Sequence, residues 1–469
     1  MSGFIANHNL PNGLFMFDVV VLAAGKGSRM KSITPKVLHP LAGKPMLKWA
    51  TEAAKTSGAK TVHLVLGFGR EQIIPALHDI DLQLAFQDEQ LGTGHAVAQA
   101  LTHVSNCDVV VITYGDVPLL KPETIQKMAN LAADGSLAIL TEFLSEPAGY
   151  GRIIRDNGFI KAIVEDKDAS EQQKQITEIN TGVLAAPTSL LQQWLPRLSA
   201  NNAQGEYYLT DIVAMAEADG IPIQAAHPTN SIETRGVNSR LQLATLERDY
   251  QLNSAHQFLD AGVGIIDPAR FDVRGDLQVS QDVSIDVNCI FEGRVVIEAG
   301  VSIGPNCLIK NSHIGRQCRI EANSIVEDSI MDEACTVGPF ARLRPGTRLA
   351  NRVKVGNFVE TKKVSVGVGS KINHLSYVGD AIIGERVNVG AGAITCNYDG
   401  VNKHITEIGD GAFIGSNCAL VAPVKISRRV TVGAGSVLTE DVQEDSLALA
   451  RGRQRNIKNW VSPAKKLSV

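Results

Sequence analysis

The sequence predicts two domains of different class, an α/β domain with a mostly parallel sheet followed by a parallel β-helix. Three observations carry this. A chain of 469 residues exceeds what one hydrophobic core organises. Up to Asn238, β-rich runs alternate with helical patterns, the order of an α/β domain. Beyond Gly262 aliphatic residues, many followed by glycine, recur at every sixth position, the mark of a solenoid.

Composition bounds the class of function. The chain carries 45 basic and 49 acidic residues, a formal charge of −4, which argues against a general nucleic-acid binder or a membrane-surface protein. The apolar run Val19 to Ala24 is too short to span a bilayer and enters a Gly-rich turn, so it reads as a first strand and the protein is expected to be cytosolic. Seven cysteines, an odd number without a C-x-x-C pair, argue against a disulfide framework or a zinc site. Residues 1–16 show neither periodicity nor motif and are set apart as an extension without assigned function.

The first domain, 17–238, has strands at Val19–Leu22, Thr61–Leu66 and Val109–Thr113, and the loops after such strands are where ligands bind. Residues 239–262 are expected to be a linker helix, because Ser239 to Ala261 contains no glycine or proline and places Leu241, Leu243, Leu246, Tyr250 and Leu252 at helical spacing. In 263–469 the inward positions include Ile297, Ile303, Ile309, Ile314, Ile320 and Val326, and later Ile372, Val378, Ile383 and Val389. Three six-residue repeats make one triangular coil, and coils stack at roughly 4.8 Å. Cys289, Cys307, Cys318 and Cys418 each fall four residues after an inward isoleucine, where a small apolar side chain is needed, so they read as free core thiols.

The first candidate site follows strand Val19–Leu22. There LAAGKGSRM, Leu22 to Met30, leads to Pro35-Lys36. Glycines let backbone amides approach a phosphate, and Lys26, Arg29 and Lys36 surround it with charge. Strand Val109–Thr113 ends in Tyr114-Gly115-Asp116, which puts a carboxylate at a strand's C-terminal edge, where it can hold Mg²⁺ for a triphosphate. Helix capping is the plainer role for the same aspartate, but the chain has no P-loop to supply the metal otherwise.

This half resembles the sugar-1-phosphate nucleotidyltransferase family, whose signature is L-x-x-G-x-G-x-R-M followed by P-K; the fold implied is a Rossmann-like nucleotidyltransferase domain. The resemblance implies nucleotide contacts at Leu22, Ala23, Ala24, Gly25, Lys36, Tyr114 and Gly115, with Gln87, Gly92 and Thr93 on the uracil side. It further implies sugar contacts at Gly151, Glu165 and Asn180, and a metal held by Asp116 and Asn238. The implied chemistry is in-line attack of a sugar-1-phosphate on the α-phosphorus of UTP. Pyrophosphate leaves without a covalent intermediate, and catalysis is positioning and charge neutralisation by Arg29, Lys36 and Mg²⁺.

The second candidate site is on the β-helix. With Ile372 and Val378 inward, His374 points outward and is not a packed core histidine, which leaves a solvated surface histidine as the plainer alternative. Val355, Ile372 and Val389 are equally spaced and occupy equivalent places on successive coils. That frame stacks Glu360 under Tyr377 and Asn357 beneath His374. A histidine with a carboxylate, a phenol and amides on one face suits a general base, while Arg344, Lys362 and Lys363 suit a sugar phosphate. The repeat breaks between Cys396 and Thr406, and insertions in solenoids commonly mark a binding face.

The segments GPFARLRPG, VGNFVETKK, KINHLSYVGD, NVGAGAITCNYDG and IGSNCALVAPV extend the resemblance to the whole chain from about residue 17. The chain is similar to the bacterial family of bifunctional N-acetylglucosamine-1-phosphate uridyltransferase/glucosamine-1-phosphate acetyltransferases, whose C-terminal half is a left-handed β-helix. By this resemblance the protein makes UDP-N-acetylglucosamine, a precursor of peptidoglycan and lipopolysaccharide, by acetyl transfer from acetyl-CoA and then uridylyl transfer from UTP. His374 would deprotonate the glucosamine amine, because only the neutral amine attacks a thioester and imidazole is the side chain that ordinarily titrates near neutrality. Arg344, Lys362, Tyr377 and Asn388 would bind glucosamine-1-phosphate. Ala391, Asn397, Tyr398, Ser416, Ala434 and Arg451 would contact acetyl-CoA, in a homotrimer whose neighbouring subunit completes that site. Ser28 stands where threonine is also common, and Thr361 where a larger side chain is expected. Two other readings stay open: a nucleotidyltransferase whose β-helix only regulates or oligomerises it, and a binding scaffold with a degenerate catalytic half.

Overall fold

The computed structural model describes residues 15–462; most of the N-terminal extension lies outside them. The chain divides into two compact units after Tyr250, part-way along the Arg240–Asp260 helix.

In the first unit, seven strands form the body of one twisted sheet. From edge to edge they run Ile223–Ala226, Leu137–Phe143, Glu178–Pro187, Val109–Tyr114, Phe17–Ala23, Val62–Leu66 and Gln83–Phe86. All neighbours are parallel except Glu178–Pro187, which runs antiparallel to both of its partners. Helices cover both faces, which is why Val19, Val20 and Val21 are all fully buried and the central strands read as continuous apolar runs rather than alternating ones. A hairpin, Arg152–Asp156 with Phe159–Val164, attaches to the Glu178–Pro187 strand at Ile179.

The predicted helix is present as Arg240–Asp260, but its leucines do not act alike. Leu246 packs with Leu41, Met46, Ile232 and Val237, and Glu247 accepts the Ala42 N–H at 2.7 Å, whereas Leu241 is 77% exposed. In the second unit, Gln251 receives the Val273 N–H at 2.7 Å and donates to the Val273 carbonyl at 2.8 Å. Phe258 meets Phe271 edge-on. The helix's C-terminal half thereby covers the open end of the first coil, where unpaired ladder groups would otherwise face water.

That second unit is a parallel β-helix with three ladders of strands. One ladder runs through Ile265, Ile285, Ile303, Ile320, Val337, Val355, Ile372, Val389, Ile414 and Val432. A second carries Ile309, Val326, Leu343, Thr361 and Val378, and the third Ile314, Met331, Leu349, Val366 and Ile383. These side chains form one continuous core, and each buried aliphatic contributes about 1.5–3 kcal/mol. Cys289, Cys307, Cys318 and Cys418 are buried as the spacing predicts, and Cys335, above Cys318, joins them. Burial pushes the Cys289 thiol up to about 12 and raises that of Cys307, so both are inert at neutral pH. Thr361 is small because it points inward; its hydroxyl meets that of Thr347 at 3.0 Å. At one corner Asn288, Asn306 and Asn323 adopt positive φ and form an amide ladder, with Asn288 donating to Asn306 at 2.9 Å and Asn306 to Asn323 at 3.2 Å.

Candidate active sites

The first site lies at the C-terminal ends of the parallel strands, where the sheet opens a cleft of ≈ 250 Å³. Leu22, Ala23, Ala24, Gly25, Lys36, Gln87, Gly92, Thr93, Tyr114 and Asp116 line it, together with Gln90, Ala96 and Glu206, which the sequence did not single out. Gly115 fixes the two central strand ends to each other, its N–H donating to the Leu22 carbonyl at 2.9 Å.

The Gly-rich turn sets one side chain in particular. Gly27 has φ 60°, and a Cβ there would stand 2.6 Å from the Lys36 Cβ, so only glycine lets the turn rest on the lysine stem. Lys36 Nζ is thereby held in a salt bridge with Asp116 and donates to Asn238 Oδ1 at 2.9 Å. Asp116 and Asn238 come from distant parts of the chain and converge on one cationic point. Arg29 lies exposed in the Ser28–Met30 turn, anchored by buried Met30.

Gly151, Glu165 and Asn180 form a second cluster in the same unit. The Asn180 N–H donates to the Gly151 carbonyl at 2.8 Å, and a Cβ on Gly151 would be 3.6 Å from Glu165 Oε1. A register shift between Asn180 and Leu184 re-aims this strand, and Gly182, at φ 90°, leaves room for the Tyr114 ring. Burial raises the Glu165 carboxyl above its usual range, opposed by the Thr210 hydroxyl donating to Oε1 at 3.0 Å. Burial, then Glu165 and Asp116, push the Tyr114 phenol up, so it stays neutral.

The second site is on the outside of the β-helix. His374 pairs in register with Asn357, and its Nδ1 lies 2.7 Å from Asn357 Oδ1. An amide oxygen only accepts, so Nδ1 carries the hydrogen and Nε2 keeps its lone pair toward solvent. Glu360 sits under Tyr377 as the spacing predicts, but its carboxylate takes Arg344 Nη1 at 2.7 Å rather than orienting the histidine. Lys403, from the insertion, crowds Lys362 and with Arg344 holds its ammonium below the usual lysine range. Sequence spacing missed Lys403 because it reaches the face through a loop. Arg344, Lys362 and Lys403 thus gather with the carboxylates of Glu360 and Asp380.

The insertion is organised by its own side chains. Tyr398 bridges to Lys403, and Asp399 accepts from the Val401 and Asn402 N–H groups and from His404, which holds its carboxyl low. Asn397 donates to Asp380. Asn388 continues the ladder above Lys371. Ala391, Ser416, Ala434 and Arg451 then form a column: the Asn417 N–H reaches the Ala391 carbonyl at 2.7 Å, Gly435 that of Ser416 at 2.8 Å, and Arg451 Nη1 that of Ala434 at 2.6 Å.

Three known families match parts of this architecture: the MobA-like NTP transferase domain over residues 19–206, the GMPPB C-terminal domain over 273–368, and the bacterial transferase hexapeptide (six repeats) over 405–440. Whole-chain relatives decide the family. The Bifunctional protein GlmU of Cellvibrio japonicus is 56% identical across 96% of this chain and 100% of its own length, and that of Marinobacter nauticus 54% identical across 95% and 99%. The chain belongs to the bifunctional GlmU family. A GlmU chain is a two-activity transferase of UDP-N-acetylglucosamine synthesis, here with a nucleotidyltransferase half and a hexapeptide acyltransferase half. Among the described residues no helix is long and apolar enough to cross a membrane.

Proposed function

We propose that this GlmU acetylates glucosamine-1-phosphate on the β-helix and then uridylylates the product in the α/β cleft, in the cytoplasm and as a homotrimer. The observation that carries the acetyltransferase assignment is the His374–Asn357 pair, which leaves Nε2 free to take a proton. Arg344, Lys362, Tyr377 and Asn388 hold the sugar phosphate. The column of Ala391, Ser416, Ala434 and Arg451, with Asn397 and Tyr398, receives acetyl-CoA. His374 removes the amine proton, and the neutral amine attacks the thioester.

In the cleft, Leu22 to Gly25, Tyr114 and Gly115 cradle the nucleotide, while Gln87, Gly92 and Thr93 face its base. Gly151, Glu165 and Asn180 hold the sugar. Asp116 and Asn238 fit Mg²⁺, because their oxygens already converge on a cation, the Lys36 ammonium. Bound there, Mg²⁺ would neutralise triphosphate charge. Lys36 and Arg29 stabilise charge on the phosphates as the sugar phosphate oxygen attacks.

A coupled assay with glucosamine-1-phosphate, acetyl-CoA, UTP and Mg²⁺ tests this by following free CoA and pyrophosphate separately. Release of both supports the assignment. Pyrophosphate released only from supplied N-acetylglucosamine-1-phosphate, with no CoA, would reduce the β-helix to a scaffold.

A further inference from the structure

The side-chain amide of Gln87 is anchored on its nitrogen side. Nε2 donates to the Gly92 carbonyl at 3.0 Å and faces His95 Nδ1 at 3.0 Å. Turned over, the amide would set Oε1 against that carbonyl, two acceptors with no hydrogen between them, so Gly92 decides which end is which. Among the described residues no donor reaches Oε1, and this oxygen is not sealed away, although Gln87 is only 3% exposed and lines the cleft.

His95 is needed to complete the arrangement. With an amide hydrogen aimed at it, Nδ1 must be the bare ring nitrogen, and the ring hydrogen is then on Nε2. Gln99 Nε2, on the same Thr93–Leu101 helix, lies 3.1 Å from His95 Nε2; a ring hydrogen on Nε2 requires this amide to turn over and present its oxygen, which nothing at Gln99 opposes as the Gly92 carbonyl does at Gln87. Gly92 and His95 together therefore hold Gln87 with its oxygen as the group left for a ligand.

We infer that His95 is a positioning residue for base selection: by holding the Gln87 amide through Nδ1, it favours a pyrimidine that presents an N3–H, uracil or thymine, over cytosine. Cytosine offers an N3 lone pair where the imide offers a hydrogen, and an amide oxygen repels it. The inference rests on the reading that the cleft binds a pyrimidine nucleotide with Gln87 at its base. A misplaced hydrogen bond of this kind changes selectivity by about tenfold.

The test is pyrophosphate release with UTP and with CTP at saturating sugar phosphate, in wild type, His95→Leu and His95→Asn. Asparagine puts an acceptor at the position of Nδ1, and leucine removes it. His95→Leu is expected to lower the UTP-to-CTP ratio of kcat/KM by about tenfold, mainly through KM for UTP, and His95→Asn to restore most of it. An unchanged ratio in His95→Leu, an equal loss with both nucleotides, or no rescue by asparagine would overturn the inference. Should His95→Leu not fold, ¹⁵N shifts of the wild-type ring decide: a bare Nδ1 supports the arrangement and a protonated Nδ1 refutes it. Wild type that releases no pyrophosphate from UTP would instead sink the nucleotide reading of the cleft, and the ring measurement would still judge His95 separately.

Discussion

The α/β cleft is bordered largely by small residues, Ala23, Ala24, Gly25 and Gly92 among them, and a few longer side chains such as Gln87 and Lys36 are held in place by hydrogen bonds. The β-helix face works the other way. The groups proposed for its site stand on a regular ladder, where stacked coils bring His374 to Asn357 and Arg344 to Glu360. A cleft of the first kind depends on where loops from distant strands end, while a face of the second kind depends on spacing. Damage should therefore stay within one site, and the two should fail in different ways.

The strongest way to break this comparison is at the proposed general base. His374→Ala should lower CoA release by about 10²–10⁴-fold and leave pyrophosphate release from N-acetylglucosamine-1-phosphate unchanged; equal loss of both in a folded variant would contradict the division. The mirror experiment is Lys36→Ala, expected to cost about 10²–10³-fold in pyrophosphate release with normal CoA release. Asn357→Leu sharpens the ladder argument. It leaves the ring in place but removes the acceptor that fixes its tautomer, so acetyl transfer should fall by about tenfold with KM for acetyl-CoA little changed. A loss expressed wholly in that KM would point to a cofactor contact instead.

The smallest effect concerns Glu165. Its folded carboxyl titrates above the unfolded one because of burial, so the folded state binds the proton more tightly. The resulting stability is present below the unfolded carboxylate range and is lost as pH rises through it to the raised folded value. At neutral pH the wild type carries the cost of a buried charge, and Glu165→Gln should raise Tm by roughly 2 °C while weakening sugar binding. Near pH 4 the difference should close. A Tm gain that persists unchanged at low pH would assign it to packing rather than to the charge.

Much of the β-helix was legible because its geometry is periodic. Ile372 and Val389 fix the frame, and that frame alone puts Asn357 beneath His374 and Glu360 beneath Tyr377, as the strand register has them. What the spacing could not give was side-chain choice within that frame: Glu360 turns to Arg344, because a guanidinium on the neighbouring coil is the better partner for a carboxylate. Lys403 lay outside the period altogether. In the first unit the motif supplied the turn, but Glu206 and Gln90 enter the cleft from loops without any repeat. The Lys36 bridge to Asp116 and Asn238 likewise joins segments no local pattern relates.

The claim that two separately sufficient sites share one chain is tested most directly by mixing His374→Ala with Lys36→Ala and following UDP-N-acetylglucosamine from glucosamine-1-phosphate, acetyl-CoA, UTP and Mg²⁺. Either variant alone should make the product only at its slow residual rate, and the mixture should make it far faster, because free N-acetylglucosamine-1-phosphate passes from one protein to the other. Two folded variants that remain as slow together would contradict the account.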